Sequence, residues 1–567
     1  MGRQILWLLA GIATLVATAS NSAHSQTQPF TPVDPGQSEK RFDAQQERQR
    51  LAKPPVVVPN LATAPMNADN RPLFILKGVV ISGAISIPDD ALRQHFDHLI
   101  GRRVSQADLL TITEGMTKSY REAGFHLSRA VIPSQDLKNG RLRVDLIEGF
   151  FTELDISGDD KDAFGARKFL EPVLSERPSR RTTLERQLLL INELPGLRVA
   201  DITMDEVGQA TGRFRLNLKL KSWRLYANTS LDNSGTRAVG PLQAYATVAA
   251  NSTLVAGDST AVNLSTVPDA TRELRYGRLS YDTPIGSDGV KLGGSISRSE
   301  VWPGDNRRLI EDRTISQGYE LRGSFTPVQT RKLAVIVTAS ANWSDPYETT
   351  SFGDVYRDHV RQVSVAVDVK FQDELNAWNY FGLAVRQGVN AFGASTYGDP
   401  DASRGDASPI ATVVAYSFAR YQPLLDAWSL KAAFSGQFAS GPLLTSQSYF
   451  LGGAAFGPGY FSGDHGYSGS LELRFDQTAD LPFLKGYQLY AFMDGGQVWN
   501  SHEPTLSLAS AGIGWRALLS DELTASVALA MPVHYTYRSE EIGRARILFS
   551  VSSALKWCPN AASFYCA

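Results

Sequence analysis

From Trp223 onward, apolar and polar residues alternate singly along the chain. Leu333, Val335, Val337, Ala339, Ala341 and Trp343 keep one beat, and Val363, Val365, Val367, Val369 and Phe371 alternate with Ser364, Ala366, Asp368, Lys370 and Gln372. Leu523, Ala525, Val527, Leu529, Met531 and Val533 repeat it, and Leu471, Leu473 and Phe475 interleave with Glu472, Arg474 and Asp476. A period of two is that of a strand with one apolar and one polar face. Segments of roughly ten or more residues exceed the five or six typical of soluble sheets and match the strands of membrane barrels. The pattern predicts about eleven strands between Trp223 and Ser440, a Gly-rich loop over 441–466, and five more strands ending near Leu555. Sixteen is even, as single-chain bacterial barrels require.

Before Trp223 the pattern is mixed. A strand is predicted over Leu73–Ser82, then a helix over Pro88–Ile100 with Asp89 and Asp90 near its positive end. Ser105 caps a second helix that runs to about Ala123 and stops at Gly124. Strands at Ser128–Ile132 and Arg141–Ile147 follow, joined through Lys138-Asn139-Gly140. The order recurs: a strand from Phe151 to Ile156, helices near Ala163–Leu174 and Leu184–Glu193, strands Arg198–Glu206 and Arg213–Lys221. Two small α/β modules in tandem, over 72–149 and 150–222, are therefore expected ahead of the barrel.

The first residues carry Arg3, an apolar core from Ile5 to Ala19, and small residues around Ala23 and Ser25, which reads as a secretory signal over 1–25. Residues 26–71 are polar and Pro-rich; Asp34–Leu51 favours a solvated helix, and a disordered leader fits its composition equally. Export makes an oxidising compartment available to the only two cysteines, Cys558 and Cys566, in a tail over 558–567.

Composition narrows the options. The 567 residues hold 56 Lys+Arg against 58 Asp+Glu, which gives no basic footprint for nucleic acid. Mean hydropathy is −0.18, and beyond the signal no apolar run is long enough for a membrane helix. A barrel escapes that test, because its lipid-facing and water-facing residues alternate. No nucleophile elbow, P-loop, HExxH or dinucleotide fingerprint stands at a strand–helix junction. His95 and His98, three apart, form an incomplete metal site and read as a surface pair. Gly452–Gly457 lies between strands and is no phosphate cradle. No enzyme, cofactor or metal is expected, and Glu472 and Asp476 read as lumen lining.

The segment Tyr120–Gly149 (YREAGFHLSRAVIPSQDLKNGRLRVDLIEG) closely resembles the first POTRA domain of two-partner secretion transporters, the haemolysin and filamentous-haemagglutinin secretion/activation proteins. Tyr120, Gly124, Phe125, Pro133, Gln135, Gly140, Leu142, Val144, Glu148 and Gly149 carry the match. Leu194-Pro195-Gly196 is similar to a turn of the second POTRA domain, and Leu231–Arg237 to the family's first barrel hairpin. The resemblance implies two POTRA domains before a sixteen-stranded antiparallel transmembrane β-barrel of the BamA-related superfamily, in the Gram-negative outer membrane with the POTRA domains periplasmic. It also implies a secreted exoprotein with an amino-terminal secretion domain as partner, outer-membrane lipid around the wall, and a monomeric pore.

In that family the long loop folds into the barrel, and an arginine at its tip, in Val-Arg-Gly-Tyr or -Phe, pairs with the aspartate of a Phe-x-Asp-x-Gly wall motif. Here the wall motif is Phe492-Met493-Asp494-Gly495-Gly496, with Asp494 in the inward phase. The tip reads Gly457-Pro458-Gly459-Tyr460, with proline in the arginine's place. A buried carboxylate without a cation is costly, so Asp494 is expected to meet another lumen arginine or to stay hydrated. Pro458 would stiffen the tip instead; alternatively Gly457–Tyr460 is an ordinary surface turn. A second departure is the C-terminus: Trp557 stands where a closing aromatic is expected, but CPNAASFYCA follows. The rival readings are an outer-membrane assembly factor of the same superfamily, a passive porin with periplasmic modules, and a soluble adhesin or lectin.

Overall fold

This computed structural model describes Val58 and residues 69–83, 86–158, 163–208, 210–536 and 544–557. The predicted signal, the helix over 34–51, most of the Pro-rich segment and the cysteine tail lie outside the described residues.

The first module is built from β1 (Pro72–Ile75), β2 (Gly78–Ser82), α1 (Asp89–Arg93), β3 (Arg103–Ser105), α2 (Gln106–Glu122), β4 (Arg129–Val131) and β5 (Arg141–Ile147). The strand predicted over Leu73–Ser82 is two strands. The chain changes partner at Leu76, leaving β3 for β5, because Leu76 N–H donates to Arg102 while Lys77 N–H donates to Gly140. The helix predicted over Pro88–Ile100 is also shorter: α1 ends at Arg93, and only a 3-10 turn follows at Asp97–Leu99. Leu92 and Phe96 both turn into the core, which the short helix and the turn after it allow. Ser105 caps α2 as expected, in a reciprocal box with Asp108, and Gly124 ends it at φ +91°.

The second module repeats the design with β6 (Phe150–Gly158), α3 (Ala166–Ser175), α4 (Arg181–Asn192), β7 (Leu197–Glu206) and β8 (Arg213–Ser222). In both modules the central strand pairs parallel to the first strand of its sheet and antiparallel to the other. The modules share packing: Leu127 of the first and Val58 of the Pro-rich segment are buried in the core of the second, with Phe151, Leu188 and Leu216. Arg129 on β4 reaches Glu206 on β7 at 2.7 Å.

From Leu225 the sheet closes on itself, the first barrel strand (Leu225–Asp232) pairing antiparallel with the last (Arg546–Trp557) from Leu225↔Trp557 to Asp232↔Ser550. Among the described residues sixteen strands make the wall, eleven before the predicted loop and five after it. A short hairpin, Tyr347–Thr350 and Gly353–Arg357, extends the wall at the end away from the modules, while the strands on either side of it pair directly. The alternation has its expected consequence: Leu292, Ile296, Leu321, Val363, Val365, Ile513, Val527 and Met531 are exposed on the outside. An apolar belt of that extent would not persist in water. Against lipid it is the stable arrangement.

Candidate functional site: the pore and its inward hairpin

The POTRA-motif residues hold the first module together. Tyr120 is fully buried on α2 and donates to Glu148 Oε1 at 3.0 Å, and the same oxygen accepts from Ser86 N–H at 2.8 Å. Burial, with the Glu148 carboxylate beside it, holds the Tyr120 phenol well above its usual range. Phe125 packs at 6.0 Å from the Tyr120 ring. Gln135, just beyond Pro133, uses both ends of its amide on Arg143: Oε1 accepts from the backbone N–H at 2.7 Å and Nε2 donates to the carbonyl at 2.8 Å. The side chain thus continues the ladder of β5 where β4 has ended. Gly140 turns at φ +72°, and a side chain at Gly149 would collide with Leu127. His95, from the candidate pair, bonds Ser119 Oγ at 2.7 Å and rests on Gly115.

At the module junction His126 is 8% exposed, and among the described residues neither ring nitrogen has a hydrogen-bond partner. Burial, helped by the Arg181 cation, lowers its pKa to about 4. The second module is fixed to the barrel through α4. Arg186 donates to the carbonyls of Asp288 (3.0 Å), in a turn between strands, and of Thr326 (2.9 Å) and Pro327 (3.2 Å), at the irregular end of the strand Arg313–Gln329. Three carbonyls converge on one guanidinium, and an ion pair between Glu185 of α4 and Arg331 of a barrel turn, at 3.2 Å, adds a charged contact to the same joint.

The inner wall is polar and cross-braced. Arg322 spans Asp282 and Glu320 at 2.6 Å each, passing over Gly293, where a side chain would block the pair. Across the bore Glu472 is held by Arg516 (2.6 Å) and Arg474 (2.5 Å), and the Arg516 guanidinium lies 3.7 Å from the Tyr490 ring centre. Glu472 therefore lines the lumen as predicted, as part of an ion-pair cluster.

The loop over 441–466 enters this bore as a hairpin, Tyr449–Gly453 and Gly457–Gly463. It lies on the polar face of the wall: Tyr449 OH meets Ser468 Oγ at 2.7 Å and Ser435 Oγ at 3.1 Å, and Phe456 packs against Tyr535 at 6.0 Å. Leu451, Phe456 and Phe461 are buried with Val498 and Leu508, so an apolar cluster sits within a polar lumen. Gly457, Pro458, Gly459 and Tyr460 are not the turn. The turn is Ala454–Phe456, and those four residues begin the returning strand. A side chain on Gly457, at φ +85°, would press on Thr236 and Arg546, so this strand runs close to the seam.

Asp494 faces the hairpin, and no arginine of the described residues meets it there. Among the described residues it forms no ion pair; it accepts from Ser510 Oγ at 2.5 Å and from Ala454 N–H at 3.3 Å, while Ala455 N–H donates to Ser510 at 3.4 Å. Gly453 rests on the carboxylate with no room for a side chain. Phe492 and Gly496, on the same strand, are also lumen-phase: Gly496 abuts Leu451 of the hairpin, and the Phe492 ring crosses Gly512. Backbone amides and a serine hydroxyl thus do what the missing arginine would have done. Only the inward phase of Asp494 was legible in sequence; Ser510 and the two turn amides carry no motif.

Comparison with known proteins places this architecture. Residues 213–517, over half of the chain, match the family model of the haemolysin secretion/activation protein ShlB/FhaC/HecB, and residues 74–149 match the POTRA domain of ShlB type. The chain belongs to this family. The heme/hemopexin transporter protein HuxB of Haemophilus influenzae (strain 86-028NP) is 21% identical over 78% of this chain and 80% of its own. The outer membrane transporter CdiB of Dickeya dadantii (strain 3937) is 23% identical over 88% and 90%. Among solved structures, CdiB from Escherichia coli aligns with TM-score 0.71 at 19% identity, covering 93% of this chain and 100% of that one, and CdiB from Acinetobacter baumannii with 0.62 at 17%, covering 94% and 100%. At these identities the structures speak for the fold. The family is one of two-partner secretion transporters of the Gram-negative outer membrane, a transporter class and not an enzyme class, with its POTRA domains periplasmic. The end of the barrel away from the modules is then the cell-surface end.

Proposed function

We propose that the chain exports a haemolysin- or adhesin-like exoprotein, recognised by an amino-terminal secretion domain, along the barrel axis from periplasm to cell surface. The observation that carries this reading is the hairpin held inside a polar bore by a few replaceable hydrogen bonds: a plug of this kind can be moved aside by a threading chain. Capture by the modules proceeds by strand addition. The ten-residue β7 has an outer edge that pairs with nothing among the described residues, while the open flank of β5 is already filled by Gln135. The periplasm offers no ATP, so folding of the exported chain outside gives the direction.

The seam favours axial export over the rival reading of lateral insertion of barrel proteins. Eight residue pairs join the first and last strands, and beyond them Asn233 continues the ladder with its side chain, accepting from Phe549 N–H at 2.7 Å and donating to the Ile547 carbonyl at 2.9 Å. Arg546 adds bonds to the carbonyls of Asn233 and Gly235. The signal peptide, the monomeric state and conduction by the pore belong to the same proposal. Co-expression with an exoprotein encoded beside it tests the reading: the exoprotein should reach the medium or surface with the full chain and stay periplasmic when residues 73–221 are deleted. Solute flux that survives this deletion, with no exoprotein dependence in the full chain, would mark a porin instead.

A further inference from the structure

We propose that Arg404 is the latch that holds the inward hairpin in place, through a buried ion pair with Asp464 at the surface mouth of the barrel. The inference rests on the pore reading above. Asp464 stands where the loop rejoins the wall and is 1% exposed. Its Oδ1 accepts from Arg404 Nη1 at 2.6 Å and from Leu443 N–H at 2.9 Å, and Leu443 lies on the outgoing leg of the same loop. Its backbone N–H donates to Asn500 Oδ1 at 2.8 Å, and its carbonyl accepts from Gln437 Nε2 at 3.3 Å. Asp464 therefore ties the two legs of the loop together through its carboxylate and holds them to the wall through its backbone. Its counter-ion comes from a different loop.

That loop, residues 389–411, lies across the mouth as a strap. Ser403, next to Arg404, donates its N–H and hydroxyl to the two oxygens of buried Asp358 at 2.8 and 2.7 Å, and accepts from Thr445 N–H of the hairpin loop at 3.0 Å. Ser408 N–H donates to the Pro442 carbonyl at 2.8 Å, and Ala407 is buried with Val360 and Leu444. The second carboxylate near Arg404, Asp406, is an exposed one at 3.0 Å, and it holds the guanidinium from the water side. The two carboxylates that touch the hairpin thus differ in kind. Asp494 meets the turn through neutral donors, and Asp464 meets the base through a cation. The two strands of the hairpin are paired and can leave as a unit, so withdrawal must free the base of the loop from the strap and the wall, and the Asp464–Arg404 pair is the charged part of that tie. Taking Arg404 away leaves a buried charge without its partner, which favours any state that hydrates it.

The test uses the full chain in planar lipid bilayers, recording the ratio of open to closed time. Arg404→Ala should raise that ratio by about a hundredfold or more, the scale expected when a buried carboxylate loses its cation. Arg404→Lys should restore part of the closure, and Asp406→Ala, which leaves the Asp464 pair standing, should raise the ratio by less than Arg404→Ala does. Hydrogen exchange at Leu443 and Asp464 in detergent should quicken most in Arg404→Ala, with heat-modifiable gel mobility kept as the sign of a folded barrel. An Arg404→Ala pore that closes as wild type does, with exchange unchanged, overturns the latch and leaves the pore reading standing. A wild type and variants that insert and pass no current overturn the pore reading and the latch together.

Discussion

Substituting Gly453 by alanine is the sharpest way to ask what holds the hairpin turn against the wall. A methyl group there would stand 2.5 Å from Asp494 Oδ1, 3.2 Å from Ser510 Oγ and 3.3 Å from Leu508 Cδ1. The first of these atoms belongs to a short side chain already fixed by Ser510, so the turn must retreat from the wall. Two hydrogen bonds go with it, Ala454 N–H to the carboxylate and Ala455 N–H to the serine. A bond to a charged acceptor contributes about 1.5–3 kcal/mol and a neutral one about 0.5–1.5 kcal/mol, so the docked hairpin should lose about 2–4 kcal/mol. That corresponds to a shift of about 30- to 1000-fold from docked to undocked, since each 1.4 kcal/mol is tenfold. The assay is the open-to-closed ratio of single pores in bilayers, with Gly441→Ala as control because its added methyl meets only ordinary contact, 3.9 Å from Ser408. A Gly453→Ala pore indistinguishable from the control would refute the argument that the turn seals against Asp494.

Other expectations follow from the same structure. His126 is buried with a folded pKa of about 4, below its value in the unfolded chain, so the unfolded state binds the proton first as pH falls. The junction should keep its full stability above about pH 6.5 and lose up to about 3 kcal/mol between there and pH 4; hydrogen exchange at the junction of the full chain reads this, and His126→Leu should flatten it. Arg186→Ala removes three bonds to carbonyls at the barrel's module-facing end, and protease cleavage between the second module and the barrel should quicken by about tenfold or more. Asn233→Ala shortens the seam by two hydrogen bonds and should lower the temperature at which heat-modifiable mobility is lost, with a destabilisation of about 1–3 kcal/mol. An unchanged transition would show that the backbone pairs alone seal the barrel.

The barrel was legible because lipid and water impose opposite demands on successive residues, so every strand carries its period openly. The division into eleven and five strands around the loop therefore follows from Val363–Gln372 and its fellows alone. The modules were legible in order but not in detail. Leu73–Ser82 reads as one strand because nothing local marks Leu76 as the point where the chain trades β3 for β5. The end of α1 is set by burial of both Leu92 and Phe96, a tertiary demand. At the hairpin, sequence pointed to Gly457–Tyr460 through a motif position, whereas the turn that meets Asp494 is Ala454–Phe456, whose backbone N–H groups have no signature in residue type. The same holds for Asn233 and Gln135, amide side chains that stand in for backbone. Arg404 and Asp464 lie sixty positions apart on different loops, and only the closed barrel brings them together.

If the barrel exports along its axis as proposed, the hairpin occupies the route of the exported chain and must leave it. Tethering it is the direct test: Ala455→Cys with Ser510→Cys, in a chain whose Cys558 and Cys566 are replaced by serine, would join the turn to the wall under oxidation. Export of the partner exoprotein should stop when the tether forms and resume when a reductant cuts it. Export that proceeds at the wild-type rate with the tether intact would contradict the account.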